Sequence, residues 1–337
     1  MQYTEGSILD NRYLLKEFKG SGSFGEVWLA LDQQTDIEVA IKIYVAMNSE
    51  GIQEFKKEFQ LSFNLNHPNL LHANYLEVNK KDQRPYLVMT YCPQGSVTKK
   101  VGKMSESEMW HFIRDVAAGL AYLHSQNPPI IHQDIKPDNI LIAPNGDFVI
   151  TDFGISQQAR STLRKSAIHL NSAGAVAYMG PERFSKQYGA IKASDIWSLG
   201  ATIYELLVGD LPFCGMGGGM QKNGADMPDL SAEFSDELNI VMQGCLAKDT
   251  WDRPTAEQLV NYANEKMKGR TPNITWSKPV AQKTVVSSVS SAKRLDDKTT
   301  VEPIKLPQTE ETTSWWKWIL LVLLAFAVGV GLNFIIN

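Results

Sequence analysis

The sequence predicts an α+β chain in two unequal parts, followed by a separate apolar segment. Three observations carry that expectation: strand-like runs up to about residue 90, helical patterning from about 95 to 268, and a charge-free stretch over 318–336. With 43% hydrophobic and 21% charged residues, the 337-residue chain can bury a sizeable core. That balance excludes a mainly disordered or collagen-like polypeptide. Lys and Arg number 33 against 37 Asp and Glu, a formal charge of −4, so no nucleic-acid partner is expected on bulk charge.

The first residues lack a basic-then-apolar run, so no cleavable export signal is expected. Residues 26–31 and 39–44 alternate in polarity, and 86–89 form a short apolar run; all three read as strands. Between them, Phe55, Phe59 and Phe63 recur at i, i+4 and i+8, the spacing of one helix face over 52–65. Ser105 and Glu108 make a capping-box signature ahead of Trp110, Ile113, Ala117 and Leu120. Further helices are predicted over 194–207, 236–246 and 255–266. The glycine patch 215–219 reads as a loop, without the Lys-Ser/Thr ending of a nucleotide P-loop. Cys92, Cys214 and Cys245 are odd in number and widely spaced. They fit neither a disulfide framework nor a zinc site, which points to a reducing compartment.

Residues 269–314 are rich in Ser, Thr, Lys and Pro and read as a flexible linker, since they have little to offset the entropy of ordering. Residues 315–337 read as a transmembrane anchor. A helix over 318–336 would be about 28 Å long, close to the roughly 30 Å hydrocarbon core. Trp315, Trp316 and Trp318 sit where indoles favour the lipid–water boundary. Lys298, Lys305 and Lys317 precede the segment, so the positive-inside rule puts the large N-terminal part in the cytoplasm. The small-residue pairs Ala325/Gly329 and Ala327/Gly331 would allow two such helices to pack as a homodimer.

Three motifs carry chemistry. Gly20-Ser-Gly22-Ser-Phe-Gly25 lets backbone approach phosphates closely, and because 26–31 is strand-like the glycines read as a hairpin between two strands. Lys42 ends an apolar strand, so its ammonium needs an anion: a nucleotide phosphate, Glu58, or the competing Glu54. Asp134, Lys136, Asn139 and Asp152 are polar residues set around the apolar runs 140–142 and 148–150. Carboxylate and amide oxygens suit Mg²⁺, and a lysine suits a transferring phosphoryl group.

On these motifs, in this order, the chain resembles a eukaryotic-type protein kinase of the serine/threonine class over about residues 12–268. Gly180-Pro-Glu182, the run Ser194–Gly200 and Trp251-Asp-Arg253-Pro agree with it. The resemblance implies a bilobal fold, with a small antiparallel β lobe and one helix over about 12–92 and a mainly helical lobe over about 93–268. It also implies ATP and Mg²⁺ as cofactors and proteins bearing Ser or Thr as substrates. Gly20, Gly22 and Gly25 would cover the phosphates; Lys42, held by Glu58, would bind them. Val27, Ala40 and Leu141 would sandwich adenine beside the gatekeeper Met89, with Tyr91 and Cys92 as hinge. Asn139 and Asp152 would hold the metal, Asp134 would act as base, and Lys136 would neutralise the γ-phosphate. Glu182 and Arg253 would form a structural ion pair, and Asp195 a buried anchor.

Some positions depart from the family pattern. Gln133 stands where Arg is usual, Ala175 replaces a Thr, Gly180 an Ala, and Ser62 an apolar residue. Ala175 and Gln133 keep open the alternative of a pseudokinase scaffold that binds nucleotide or partners without transfer. A neutral amide cannot make the charge-assisted contact that Arg makes to an activation-loop phosphate. Replacing Ser161, Thr162, Ser166 and Ser172 by Ala should therefore leave most phosphotransfer intact in a labelled-ATP assay; loss of nearly all turnover would refute this.

Overall fold

Strands β1 (Ile8–Leu9), β2 (Tyr13–Gly22), β3 (Gly25–Asp32) and β4 (Ile37–Tyr44) run in succession, and β5 (Ala73–Val78) and β6 (Pro85–Thr90) complete a six-stranded antiparallel sheet ordered β1-β2-β3-β4-β6-β5. The computed structural model describes residues 3–22, 25–47, 50, 52, 53, 56, 63–153, 176–185, 189–270 and 272. These residues belong to one compact unit, Met1–Ala281.

The period-two pattern of β4 has a double purpose. Val39, Ile41 and Ile43 enter the small-lobe core with Trp28, Ala30, Tyr86 and Val88, whereas Ala40 and Lys42 on the opposite face line a cleft. β2 and β5 were not individually legible, because register shifts break their alternation: between Leu15 and Glu17 and between Phe18 and Gly20 in β2, and between Ala73 and Tyr75 in β5. The expected glycine hairpin is present, with Gly22 opposite Gly25. At Gly25 a Cβ would run into the Ile43 carbonyl oxygen, so only glycine lets β3 and β4 lie together there.

The large lobe is built on α1 (Glu106–His124), α2 (Lys192–Val208), α3 (Gly218–Lys222), α4 (Asp236–Cys245) and α5 (Ala256–Met267). Ser105 and Glu108 form the predicted capping box of α1, and Thr255 and Gln258 form one at α5. Trp110, Ile113, Ala117 and Leu120 are buried together with Trp197, Val241 and Leu259. One expectation is corrected: the glycine patch is not all loop, since Gly218 and Gly219 open α3. The cause is packing: a Cβ on Gly218 would collide with the Gly180–Pro181 backbone, so the helix starts where only glycine fits. Between α1 and α2, β7 (Ile140–Ile142) and β8 (Phe148–Ile150) pair as a hairpin at the two predicted apolar runs.

The helix expected over 52–65 lies mostly outside the described residues, including Glu54, Phe55, Glu58, Phe59 and Ser62; Phe63 is exposed, with its ring beside His72. Ser161, Thr162, Ser166, Ser172, Ala175, most of the linker and the whole of 315–337 also fall outside them. Among the described residues no helix is long and apolar enough to cross a membrane.

Candidate active site

A cleft of about 650 Å³ lies between the small-lobe sheet and the β7–β8 region. Gly20, Gly25, Val27, Ala40, Lys42 and Met89 line it from the sheet, Tyr91 and Cys92 from the connection after β6, and Asp134, Lys136, Asn139, Leu141 and Asp152 from the large lobe. Gly22 closes the hairpin of β2 and β3, and Glu58 is outside the described residues.

The cleft has an apolar end and a polar end. At the apolar end Met89 and Cys92 are buried with Leu71 and Val149, and Ala40 and Leu141 pack against them. Burial pushes the Cys92 thiol above its ordinary pKa, so it sits there as a small neutral side chain. Leu71 carried no sequence signal; it reaches the site because its N–H bonds the Ile150 carbonyl at 2.8 Å. Tyr91 stands at the mouth, with the Lys19 ammonium 5.3 Å from its ring centre.

At the polar end, Lys42 donates to both carboxylate oxygens of Asp152, at 2.5 and 2.7 Å. The residues are 110 apart in sequence, and the lysine is 8% exposed. An ammonium this buried needs a compensating anion. Asn139 donates its amide nitrogen to the Asp134 carbonyl at 2.7 Å and to its Oδ2 at 2.9 Å. A planar amide used in this way turns its own oxygen to the other side, which is how a hard-cation ligand would be presented. Lys136 Nζ lies 3.3 Å from the same Asp134 oxygen.

A carboxylate with no place in the cleft holds this loop. Asp195, in the first turn of α2 and fully buried, accepts from the backbone N–H of His132 at 2.8 Å and of Gln133 at 2.7 Å, and pairs with His124 Nε2 at 2.9 Å. Gln133 is thereby held at φ 69, a left-handed value that turns the chain between His132 and Asp134. His132 then reaches across to the Thr151 carbonyl, 2.9 Å away, next to Asp152. Sequence motifs identify Asp195 as an anchor, but the three groups it gathers are distant in sequence, so only folding reveals them.

The Glu182–Arg253 pair is also present. Arg253 donates to both Glu182 oxygens, at 3.1 and 2.8 Å, and to the carbonyls of Ala193 and Ala247. Burial by itself would raise the Glu182 pKa, but the hydrogen bonds and charge of Arg253 bring it below its ordinary value.

Residues 13–263 match the protein kinase domain family. Similar proteins include mitogen-activated protein kinase kinase kinase 3 of Arabidopsis thaliana, 32% identical over 73% of this chain and 41% of its own length. Sporulation-specific protein 1 of Saccharomyces cerevisiae is 34% identical over 74% of this chain and 51% of its own length. Serine/threonine-protein kinase PrkC of Bacillus subtilis is 35% identical over 62% of this chain and 32% of its own length. The chain thus spans about a third to a half of the length of these relatives.

The ion pair has a definite pH signature. A carboxylate with a depressed folded pKa stabilises the native state at neutral pH and loses that contribution as the pH falls through its folded value. Arg253→Met should cost about 3–5 kcal/mol at pH 7 in denaturant unfolding, and the deficit should shrink as acid protonates Glu182, which the arginine no longer holds ionised. A deficit independent of pH would contradict the assignment.

Proposed function

The chain belongs to the protein kinase domain family, and we propose that it transfers the γ-phosphoryl group of ATP to serine and threonine hydroxyls of proteins. The observation that carries this reading is the meeting of Lys42, Asp134, Lys136, Asn139 and Asp152 in one cleft with an apolar end. Each half of ATP has a matching chemistry there. The flat apolar space between Val27, Ala40 and Leu141 suits a purine beside Met89, with backbone groups of Tyr91 and Cys92 at its edge. The hairpin glycines Gly20, Gly22 and Gly25 let backbone approach the phosphates, and Lys42 supplies a cation to them.

The polar end divides the work. Asp134, steadied by Asn139, is the group that orients the incoming hydroxyl and takes its proton. Lys136, beside it, favours negative charge on the moving phosphoryl group. Asp152 and Asn139 offer the oxygen donors that fit Mg²⁺, which when bound would neutralise phosphate charge. Lys42 already holds the Asp152 carboxylate in the cleft, and Glu58 is assigned to hold Lys42 once the phosphates engage it.

With Mg²⁺ and γ-labelled ATP, the purified chain should label itself or a generic basic protein. Asp134→Asn should lower transfer by at least about 100-fold while nucleotide affinity and thermal unfolding stay near wild type. Wild-type protein that binds ATP and transfers nothing would establish the scaffold alternative instead.

We also propose that residues 315–337 anchor the chain in a membrane with the kinase domain on the cytoplasmic side, on the strength of the charge-free run and its tryptophan flank. On that basis the wild-type chain should resist alkaline carbonate extraction, and deletion of 315–337 should release it to the soluble fraction. A wild-type chain freed by carbonate would end the anchor assignment.

A further inference from the structure

Away from the cleft, the large lobe carries a second, open groove of about 660 Å³. It shares no lining residue with the cleft. Leu211, Phe213, Met220 and Ala225 make an apolar floor, and Asp210 and Asp226 stand exposed on its rim. No Lys or Arg lines it among the described residues. The floor is anchored in the core: the Phe213 ring stacks on fully buried Trp197, with centroids 6.0 Å apart and planes at 18°. Phe213 and Cys214 both take left-handed backbone, at φ 53, followed by Gly215 at φ 71. Side chains other than glycine rarely adopt that conformation, and here it is what bends the segment around the groove. Tyr204 lies at the same place; burial and then the charge of Asp210 raise its hydroxyl above the ordinary pKa, leaving it a neutral group beside the carboxylate.

An apolar floor with two carboxylates and no cation on its rim suits a Lys or Arg next to an apolar side chain. The aliphatic stem would lie on the floor and the charged head would meet the aspartates. The same two carboxylates disfavour nucleic acid or an anionic lipid surface. The chain's own Lys293-Arg294-Leu295 is a basic–apolar run of the same kind, and reversing its charges separates it from a substrate segment. We propose that this groove docks a basic–apolar segment of the protein substrate, at a distance from the hydroxyl that is phosphorylated. The proposal rests on the kinase reading and extends it. Helix α2 links the two places: its first turn carries Asp195, which holds the Asp134 loop, and its far end runs into Asp210. Along that helix Asp195 and Asp210 are about 20 Å apart, which sets the scale of the linker at about six extended residues between docking segment and phosphoacceptor.

The test uses the full-length chain and a fluorescein-labelled Gly-Leu-Arg-Arg-Leu-Gly peptide that contains no hydroxyl residue. Anisotropy at low salt should report saturable binding, weakened at least about tenfold by the pair Asp210→Lys and Asp226→Lys, with a smaller loss for the two Asn substitutions. Cys214 is exposed while Cys92 and Cys245 are buried, so the peptide should also slow modification of the Cys214 thiol by a thiol reagent. Joined to a Ser-containing peptide through a spacer of about ten residues, the Leu-Arg-Arg-Leu segment should lower KM, whereas a spacer of about two should not. Absent binding, or binding unaffected by the double Lys substitution, overturns the proposal. Binding that appears only after Lys293→Glu and Arg294→Glu overturns it too, because the chain's own segment would then be the occupant. The arms separate the two readings: the hydroxyl-free peptide tests the groove without phosphotransfer, and an untethered Ser peptide tests phosphotransfer without the groove.

Discussion

The arrangement of the cleft depends on one buried carboxylate. Asp195 sits at the positive end of α2, where a helix N-terminus favours negative charge, and it is fully withdrawn from water. Such a group persists only with hydrogen bonds around it, and its partners are the two backbone N–H groups that precede Asp134 together with the His124 ring. Because α2 is embedded in the large-lobe core through Trp197, Leu199 and Ile203, the carboxylate ties the loop to that core beside the loop's own buried Ile135. The left-handed turn at Gln133 and the direction of Asp134 are consequences of this contact.

The small lobe contributes in a different way. Its sheet has a core on one face and the cleft on the other, and the polarity of β4 is divided between them residue by residue. Lys42 can therefore be nearly buried without lying in an apolar core. Its charge is balanced across the cleft by Asp152, itself at φ 62 next to the Thr151 carbonyl that receives His132. The ion pair, the loop clamp and the Asn139–Asp134 bonds form one chain of contacts from α2 to β4. The Lys42–Asp152 pair, the Asp195 clamp and the Asn139–Asp134 bonds each have a charged member, so the polar end of the cleft is organised by electrostatics and the apolar end by packing.

Legibility in the sequence followed the range of the forces. The capping box of α1, the strands β3, β4 and β6, the glycine hairpin and the apolar runs of β7 and β8 are local patterns, and each could be read directly. Strands β2 and β5 could not, because bulges break the alternation on which reading depends. Helix α3 could not, because its start at Gly218 answers to the Gly180–Pro181 backbone nearly forty residues earlier.

The sequence by itself determined the types and order of the chemical groups: glycines before a strand, a lysine within one, carboxylates and an amide at hairpin ends, and a charge-free run near the C-terminus. These are properties of spacing along the chain, and spacing survives without coordinates. Tertiary structure decided the pairings: that Lys42 meets Asp152, that Asp195 grips His132 and Gln133, that Leu71 completes the apolar end, and that Phe213 stacked on Trp197 floors a second groove. Those contacts join residues from about fifteen to more than a hundred positions apart, and their partners are selected by burial and desolvation, which act only once the chain has closed on itself.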